Sequence, residues 1–255
     1  MGRGVNTKSV LQLRNGKKIV RNVSKVIKVS KVSKVSNVSN VSKSNSQCTG
    51  TSKQNLCTEQ TIMMIRQALK KCLAKNSILL RAGCIDWCFP DSNFVKSLSP
   101  QSEKTWGTSV IGYTTNQWTT KLGETLLKET LEGLGESPRR IVKRQAGENG
   151  KHLIPDWETT NGLYECKART YTTTGTAGEK VLGSPWKYSD CRELYNKPLY
   201  IVCMAYQQQE AEDDFKLFGS QSPIRQRLLE YYQREAGIQY IRFTDLLKRF
   251  TSKQY

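Results

Sequence analysis

Residues 155–167 read Pro-Asp-Trp-Glu-Thr-Thr-Asn-Gly-Leu-Tyr-Glu-Cys-Lys, and this stretch decides the fold of the chain. It predicts a short strand, a two-residue Asn-Gly turn at 161–162, which is a strong hairpin signal, and a second strand. Side chains at positions i and i+2 of a strand project to the same face, so Glu165 and Lys167 should project together. The turn returns Asp156 to their side. The pattern therefore predicts two carboxylates and one amine gathered beside a sheet.

Carboxylate oxygens suit Mg²⁺, which keeps several waters and takes one or two protein carboxylates. Asp156 and Glu165 are the expected metal ligands, and the backbone carbonyl of Cys166, between the two functional side chains, supplies a further oxygen. A metal there can polarise a phosphoryl oxygen and lower the pKa of a bound water. Lys167 would orient that water or stabilise the transition-state charge. The chemistry indicated is Mg²⁺-dependent phosphodiester hydrolysis, with Mn²⁺ expected to substitute.

The segments on either side of this hairpin predict a helix and a buried strand. Upstream, apolar residues recur at the 3.6-residue period of a buried helix face; they are Trp118, Leu122, Leu126, Leu127 and Leu131. Downstream, residues 199–206 form an apolar, partly β-branched run typical of a buried strand. The remaining predicted elements are a strand over 139–145, helices over 190–196 and 224–236, a strand over 238–243 and a helix over 244–250 capped by Thr244.

Pro155-Asp156 followed by Glu165-Cys166-Lys167 resembles the PD-(D/E)xK motif of the restriction-endonuclease-like nuclease superfamily. The order helix, strand, strand with Asp, strand with Glu-x-Lys, helix, strand is similar to the αβββαβ core of that superfamily. The resemblance implies an α/β fold with a central mixed sheet flanked by helices. It also implies that a helix glutamate before the hairpin joins the site, and Glu124 stands at that place.

Among these nucleases the chain most resembles a type II restriction endonuclease. The resemblance implies a Mg²⁺-dependent endodeoxyribonuclease that cuts double-stranded DNA at a specific site, as a homodimer with one active site for each strand. A Holliday-junction-resolving or repair nuclease shares this chemistry and is the alternative. A DNA-binding module of the same fold that has lost catalysis is an alternative of a different class, and the intact motif argues against it.

The segment after the second strand of the hairpin commonly faces the duplex in type II restriction enzymes. Here residues 169–180 are rich in hydroxyl groups and glycine, and Arg169, Lys180 and Lys187 are the expected DNA contacts because phosphates bind Arg, Lys and hydroxyl groups. The alternative interpretation is a mobile loop with ordinary surface lysines.

Two further acids and the motif itself have ordinary structural interpretations. The hairpin can be an exposed one in which the two acids and Lys167 form surface ion pairs and have no catalytic role. Glu124 can lie on a solvated helix face beside Lys121 and Lys128. Glu158, two positions past Asp156, is an alternate ligand or a residue that flanks the turn.

The positive charge is concentrated at the N-terminus. The chain has 255 residues and a net charge of +18, and 12 of its 40 Lys and Arg residues precede Cys57, while the first acid is Glu59. Valine recurs at every third position from 20 to 41, a period that fits neither a buried helix face nor a strand. We expect residues 1–58 to be a disordered basic tail that adds salt-sensitive phosphate contacts; a low-complexity expansion without a selected role is the alternative.

The rest of the chain is long enough for one domain with a sizeable core. We expect residues 59–116 to form its N-terminal part, a helix over 59–80 followed by an irregular stretch over 81–116 that touches DNA or packs on the core. Residues 117–255 are expected to form the nuclease core.

Several classes of protein are disfavoured. A single histidine, His152, argues against HNH nucleases, HUH relaxases and zinc proteases. No phosphate-binding Gly-x-x-x-x-Gly-Lys-Ser/Thr run occurs, so no nucleotide cofactor is expected. Without an apolar run long enough for a membrane span or a secretion signal, the chain is expected to be soluble and intracellular, in the cytoplasm or associated with DNA. The eight cysteines are expected to be free thiols, with a zinc knuckle at Cys57, Cys72, Cys84 and Cys88 as the alternative.

Overall fold

The computed structural model describes residues 50–142, 145–147, 150–172 and 178–252, which belong to one compact unit. The strands within them are β1 (Gln145–Ala146), β2 (His152–Leu153), β3 (Trp157–Glu158), β4 (Leu163–Arg169), β5 (Leu199–Ala205) and β6 (Ile238–Arg242). β1 and β2 form a small antiparallel ribbon. The central sheet has the order β3-β4-β5-β6, with β3 antiparallel to β4 and the other two pairs parallel.

Helices flank this sheet. In the described residues they are α1 (Gly50–Cys72), α2 (Cys84–Trp87), α3 (Asn93–Lys96), α4 (Pro100–Ile111), α5 (Trp118–Gly133), α6 (Glu179–Leu182), α7 (Ser184–Lys187), α8 (Cys191–Tyr195), α9 (Tyr206–Asp213), α10 (Pro223–Tyr231) and α11 (Phe243–Ser252). A 3₁₀ turn at Ile78–Leu80 and a π-helical turn at Tyr232–Ala236 complete the set. The predicted α/β class, a mixed sheet flanked by helices, is confirmed.

Both faces of the sheet are covered by apolar side chains, which explains the continuous apolar run of β5. On one face Val202 and Met204 of β5 share a core with the predicted α5 stripe, all five residues of which are buried. On the other face Ile201 packs with Tyr188 and with Cys191 of α8. The predicted strands over β5 and β6 and the predicted helices at α5, α8 and α10 are therefore confirmed, with ends that differ by a few residues.

The stretch 81–116, predicted to be irregular, contains two short helices and the longer α4, and it packs on the core. Ser99 begins α4 by a reciprocal capping box with Ser102, and Pro100 occupies the first turn, where its missing N–H costs no hydrogen bond. Trp87 of α2 is fully buried. The Ser-Pro pair is a recognisable helix start, and the many turn formers before it concealed that signal.

Glu103 of α4 joins this layer to the end of β4. It is fully buried, and its Oε1 accepts hydrogen bonds from the indole of Trp87 at 2.8 Å and the backbone N–H of Tyr171 at 3.0 Å. Its Oε2 accepts from the hydroxyl of Thr172 at 2.6 Å. A buried carboxylate is tolerated only when such donors compensate it, so α4 fixes the start of the segment that follows β4.

Other predicted boundaries differ from the structure. The expected tail over 1–58 overlaps α1, which begins at Gly50, because a formed helix extends at little cost into adjacent residues; residues 1–49 lie outside the described residues. Helix α11 begins at Phe243, so Thr244 is not its cap. The Thr244 hydroxyl instead accepts a hydrogen bond from the Gln208 side-chain amide at 3.0 Å. The predicted strand over 139–145 is reduced to a bridge from Arg139 to Glu158 and to β1, with 143 and 144 not described.

In the described part of the chain, no helix combines the length and apolar character needed to cross a membrane.

Candidate active site

The β3–β4 hairpin sets the site geometry. Trp157 pairs with Tyr164 and Glu158 with Leu163, so the two-residue turn is Thr160-Asn161 and not the predicted Asn-Gly pair. The different turn changes which residue lies opposite Asp156. Continued by one residue beyond the Trp157–Tyr164 pair, this register places Asp156 opposite Glu165. Residues directly opposite in an antiparallel pair lie side by side on one face, so the two carboxylates meet.

Asp156 is fixed by the backbone of the neighbouring strand. Its Oδ2 accepts a hydrogen bond from the N–H of Cys166 at 2.8 Å. In regular strand geometry the N–H and C=O of one residue point to the same side, so the Cys166 carbonyl is directed to the Asp156 edge of β4.

Glu165 and Lys167 project together, as their spacing predicts. Lys167 Nζ lies 2.6 Å from Glu165 Oε1, and their side chains are 20% and 9% exposed. The buried Tyr188 lies near Glu165. Burial, followed by the nearby Glu165 carboxylate, raises the pKa of Tyr188, so this residue remains a neutral donor.

Helix α5 packs on the Cys166 and Ala168 face of β4, and Arg140 links its Glu124 to Asp156. Gly123 lies against β4 so closely that an added Cβ would be 2.7 Å from the Cβ of Ala168 and 3.0 Å from the Sγ of Cys166. The indole of Trp157 donates to the carbonyl of Glu124 at 2.9 Å. These two contacts hold the helix on the hairpin, and the Glu124 side chain is only 9% exposed, so it does not lie on a solvated face.

Arg140 belongs to the site although its sequence context gives no sign of it. Its Nη2 lies 2.5 Å from Glu124 Oε2, and its Nη1 donates to the carbonyl oxygen of Asp156 at 3.0 Å and lies 3.8 Å from Asp156 Oδ1. The guanidinium also stacks over the Trp157 ring at 4.0 Å. No periodicity or motif marks this contact, since it joins two segments that meet only in the folded chain.

The carboxylates influence one another electrostatically. Burial, and then the negative charge of Glu165, raise the pKa of Asp156 from an ordinary value of 3.8 to about 7, with a smaller contribution from Glu124. The Cys166 N–H and the Lys167 ammonium oppose this increase. Three acids thus share one region in which a proton on Asp156, or another positive charge, is favoured.

The donors fit a hard divalent cation by their chemistry. Oxygen ligands from Asp156, Glu165 and the Cys166 carbonyl are of the kind Mg²⁺ prefers, and burial together with the Glu165 carboxylate raises the pKa of Asp156. In the described residues, however, no three His, Cys, Asp or Glu side chains are arranged as a ready-made metal cluster. Glu124 and Glu165 are instead paired with Arg140 and Lys167.

The other predicted site residues have different environments. Arg169 forms a largely buried ion pair with Glu210 of α9 at 2.6 Å, so a phosphate contact would require this pair to open. Lys180 and Lys187 are exposed, and Lys187 Nζ lies 2.6 Å from the Tyr188 hydroxyl, next to Glu165. The neighbouring segment 173–177 is not among the described residues.

Glu158 does not join the acids. Its Oε1 accepts from Lys197 Nζ at 2.8 Å, and Arg139 lies 3.5 Å from its Oε2. The hydrogen bond from Lys197 is the main cause that lowers the pKa of Glu158. Its carboxylate is therefore already compensated outside the site.

The described cysteines are free thiols. Burial raises the pKa of Cys84 to about 12 and that of Cys88 well above its ordinary value, whereas Cys72 is exposed. The side chain of Cys57 is not described, so the fourth position of the alternative zinc knuckle lies outside the description.

Comparisons of this chain with protein-family models, with curated proteins and with solved structures gave no match.

Proposed function

We propose that this protein is a Mg²⁺-dependent endodeoxyribonuclease that hydrolyses phosphodiester bonds in duplex DNA. The observation that carries the proposal is the placement of the motif side chains on β4 and beside it: Lys167 contacts Glu165 at 2.6 Å, and the Cys166 N–H between them holds Asp156 at 2.8 Å. The sequence resembles the PD-(D/E)xK motif, and the register of the hairpin supports that resemblance because it sets the motif's Asp opposite its Glu.

Asp156, Glu165 and the carbonyl of Cys166 would hold the Mg²⁺ ion. When bound, the ion would supply charge neutralisation at the phosphoryl group and a more acidic water. Asp156 is oriented for this role because the Cys166 N–H fixes one of its oxygens at 2.8 Å and leaves the other without that bond. Lys167 holds Glu165 by donating to its Oε1 at 2.6 Å.

Lys167 supplies positive charge at the point where negative charge increases during hydrolysis. Its ammonium has three donors, and one of them is used by Glu165 in this structure. A second can stabilise a phosphoryl oxygen in the transition state or orient the attacking water. A lysine serves this purpose because its charge is compact and its donors rotate freely.

A surface beside the site suits a nucleic acid. Trp186 of α7 is 86% exposed, whereas Trp87, Trp118 and Trp157 are buried. The exposed Lys180 and Lys187 flank it along the chain. Exposed aromatic rings stack on bases and lysines contact phosphates, so we assign this α6–α7 surface to DNA binding. The basic segment before Cys57 would add contacts that weaken with salt.

Two related functions remain as alternatives. A junction-resolving or repair nuclease would use the same carboxylates and lysine, and a binding module would use the α6–α7 surface alone. The restriction-type proposal includes a homodimer, since two sites are needed to cut both strands of a symmetric sequence.

The test is incubation of the purified full chain with supercoiled plasmid in Mg²⁺ and in EDTA. Wild type is expected to give discrete fragments in Mg²⁺, and Asp156→Asn is expected to give none. Glu158→Gln is the matched control, because that carboxylate lies two residues away and pairs with Lys197 outside the site. Smeared products would indicate a general nuclease. The same incubation with branched DNA separates the two alternatives: cutting of branched DNA alone would favour the resolvase, and no cutting of plasmid or branched DNA would favour the binding module.

A further inference from the structure

A cation already lies between two of the site carboxylates. The Arg140 guanidinium contacts Glu124 Oε2 at 2.5 Å and approaches Asp156 Oδ1 at 3.8 Å. Lys121 also approaches Glu124 Oε2, but at 3.5 Å and with a side chain that is 41% exposed. Arg140 is therefore the principal positive charge that Glu124 meets, and it bridges to the predicted metal ligand Asp156.

The contacts of Arg140 are made by an accessible side chain. Arg140 is 53% exposed, whereas Glu124 and Asp156 are 9% and 20% exposed. Because the side chain is half-exposed, water can replace its carboxylate contacts while the guanidinium stays stacked over the Trp157 ring at 4.0 Å. The buried carboxylates have no such freedom, because α5 is fixed against β4 and Asp156 is bound to the Cys166 N–H.

From this geometry we propose that Arg140 is a built-in counter-ion, which compensates Glu124 and Asp156 in the metal-free protein and competes with a divalent cation for them. The proposal rests on the proposed function, since it requires Asp156 to be a metal ligand. Like charges that converge in a partly buried site oppose each other unless a cation compensates them. Arg140 supplies that compensation, and it must leave Asp156 when a second cation takes its place.

The competition has a consequence for the substrate. Once the metal displaces Arg140 from the acids, its guanidinium stays at the edge of the site, and its N–H donors are available for other acceptors. Guanidinium donors match the paired oxygens of a phosphate. Arg140 would thus contact the DNA backbone only after the acids are compensated by metal, which links substrate binding to metal loading.

The experiment measures Mn²⁺ binding to the full chain by titration calorimetry without DNA. Arg140→Ala and Arg140→Gln both remove the competing charge, and the glutamine variant retains a planar group that can lie on Trp157. Arg139→Ala is the matched control, because it removes the same charge one residue earlier, from a side chain that faces Glu158 and is 72% exposed. Asp156→Asn reports whether the titrated Mn²⁺ is bound at this site.

We expect both Arg140 variants to bind Mn²⁺ about tenfold more tightly than wild type, a change equivalent to about 1.4 kcal/mol, and Arg139→Ala to bind as wild type does. Unchanged or weaker binding in the Arg140 variants, with Asp156-dependent binding in wild type, would overturn the counter-ion role and leave the nuclease proposal intact. Absence of any Asp156-dependent Mn²⁺ binding in wild type and both variants would overturn both. Equal tightening in Arg139→Ala would indicate a general charge effect and would also overturn the role of Arg140.

Discussion

The Oδ2 atom of Asp156 accepts a hydrogen bond from the backbone N–H of Cys166 at 2.8 Å, across ten residues of sequence. This bond fixes the orientation of an acid whose pKa is nevertheless raised, because burial and Glu165 outweigh it. The ionised carboxylate of Asp156 therefore costs the folded protein stability, and its site is suited to cation binding.

The first prediction concerns the pH dependence of stability. The folded-state pKa of Asp156, about 7, lies above the ordinary value of 3.8, so the folded protein binds this proton more tightly than the unfolded chain does. The stability that the proton provides is fully present below the unfolded value and is lost as pH rises through about 7. Asp156→Asn cannot ionise, so its melting temperature at about pH 8 should be higher than that of wild type. The expected increase is about 2–4 °C for each kcal/mol that the ionised Asp156 costs the folded protein.

Thermal melts of both proteins across this range, without metal, check the prediction. The difference should shrink as the pH falls toward 4, where wild-type Asp156 carries its proton. Glu158→Gln is the control: the Lys197 hydrogen bond lowers the pKa of Glu158, so this variant should have a lower melting temperature than wild type at about pH 8, not a higher one. A constant difference between Asp156→Asn and wild type at every pH would contradict the raised pKa.

The second prediction separates catalysis from binding at Lys167. Lys167→Ala should reduce cleavage by about 10²-fold or more, because it removes an electrostatic stabiliser of the transition state, while DNA affinity stays close to that of wild type. Lys197→Ala removes a lysine that precedes β5 and pairs with Glu158 of the hairpin at 2.8 Å, and it should retain cleavage. Plasmid cleavage rates and gel-shift titrations measure the two effects. A parallel loss of binding in Lys167→Ala would show that this lysine serves only as a DNA contact.

The third prediction tests how α5 positions Glu124. The Cβ of Gly123→Ala would lie 2.7 Å from the Ala168 Cβ, so the helix must move away from β4, at a cost of about 1–3 kcal/mol. Glu124 should move with it, and cleavage should fall even in the fraction that remains folded. Denaturant unfolding and cleavage rates provide the measurements.

Gly183→Ala is the control for Gly123→Ala. An added Cβ at Gly183 would meet only the Glu179 carbonyl oxygen, at 3.8 Å, which is an ordinary contact. This variant should be as stable and as active as wild type. Equal stability of Gly123→Ala and Gly183→Ala would mean that α5 does not depend on the close approach.

The fourth prediction concerns Trp186 on the α6–α7 surface. In an Asp156→Asn background, Trp186→Ala should lower DNA affinity by about 1–3 kcal/mol if one base stacks on the ring. The dependence of affinity on salt should not change, since no phosphate contact is lost. Tyr113→Ala is the control because it also removes an exposed ring, 53% accessible, from another element. An equal loss of affinity in both variants would contradict a specific role for Trp186.

Much of the architecture follows from local sequence. The α5 stripe and the β5 run are determined by periodicity, because burial of one helix face or of a whole strand requires apolar residues at fixed intervals. The convergence of Glu165 and Lys167 follows from the two-residue repeat of a strand. These elements could be predicted because each depends on neighbours within a few residues.

The hairpin register depended on contacts that lie far away in sequence. Asn161 donates to Glu136 at 2.7 Å, and Gly162 lies beneath Tyr200, whose ring would be 2.6 Å from an added Cβ. Gly162 is thus required by packing and not by the turn. Only in this register does Asp156 face Glu165.

The sequence by itself therefore determined α5, β5 and the shared face of Glu165 and Lys167. The tertiary structure alone decided their partners: Arg140 for Glu124, and Glu210 for Arg169. The physical reason is that local periodicity depends on backbone geometry, which every short segment carries. The partner of a charged side chain depends instead on which distant segments burial brings within a few ångströms.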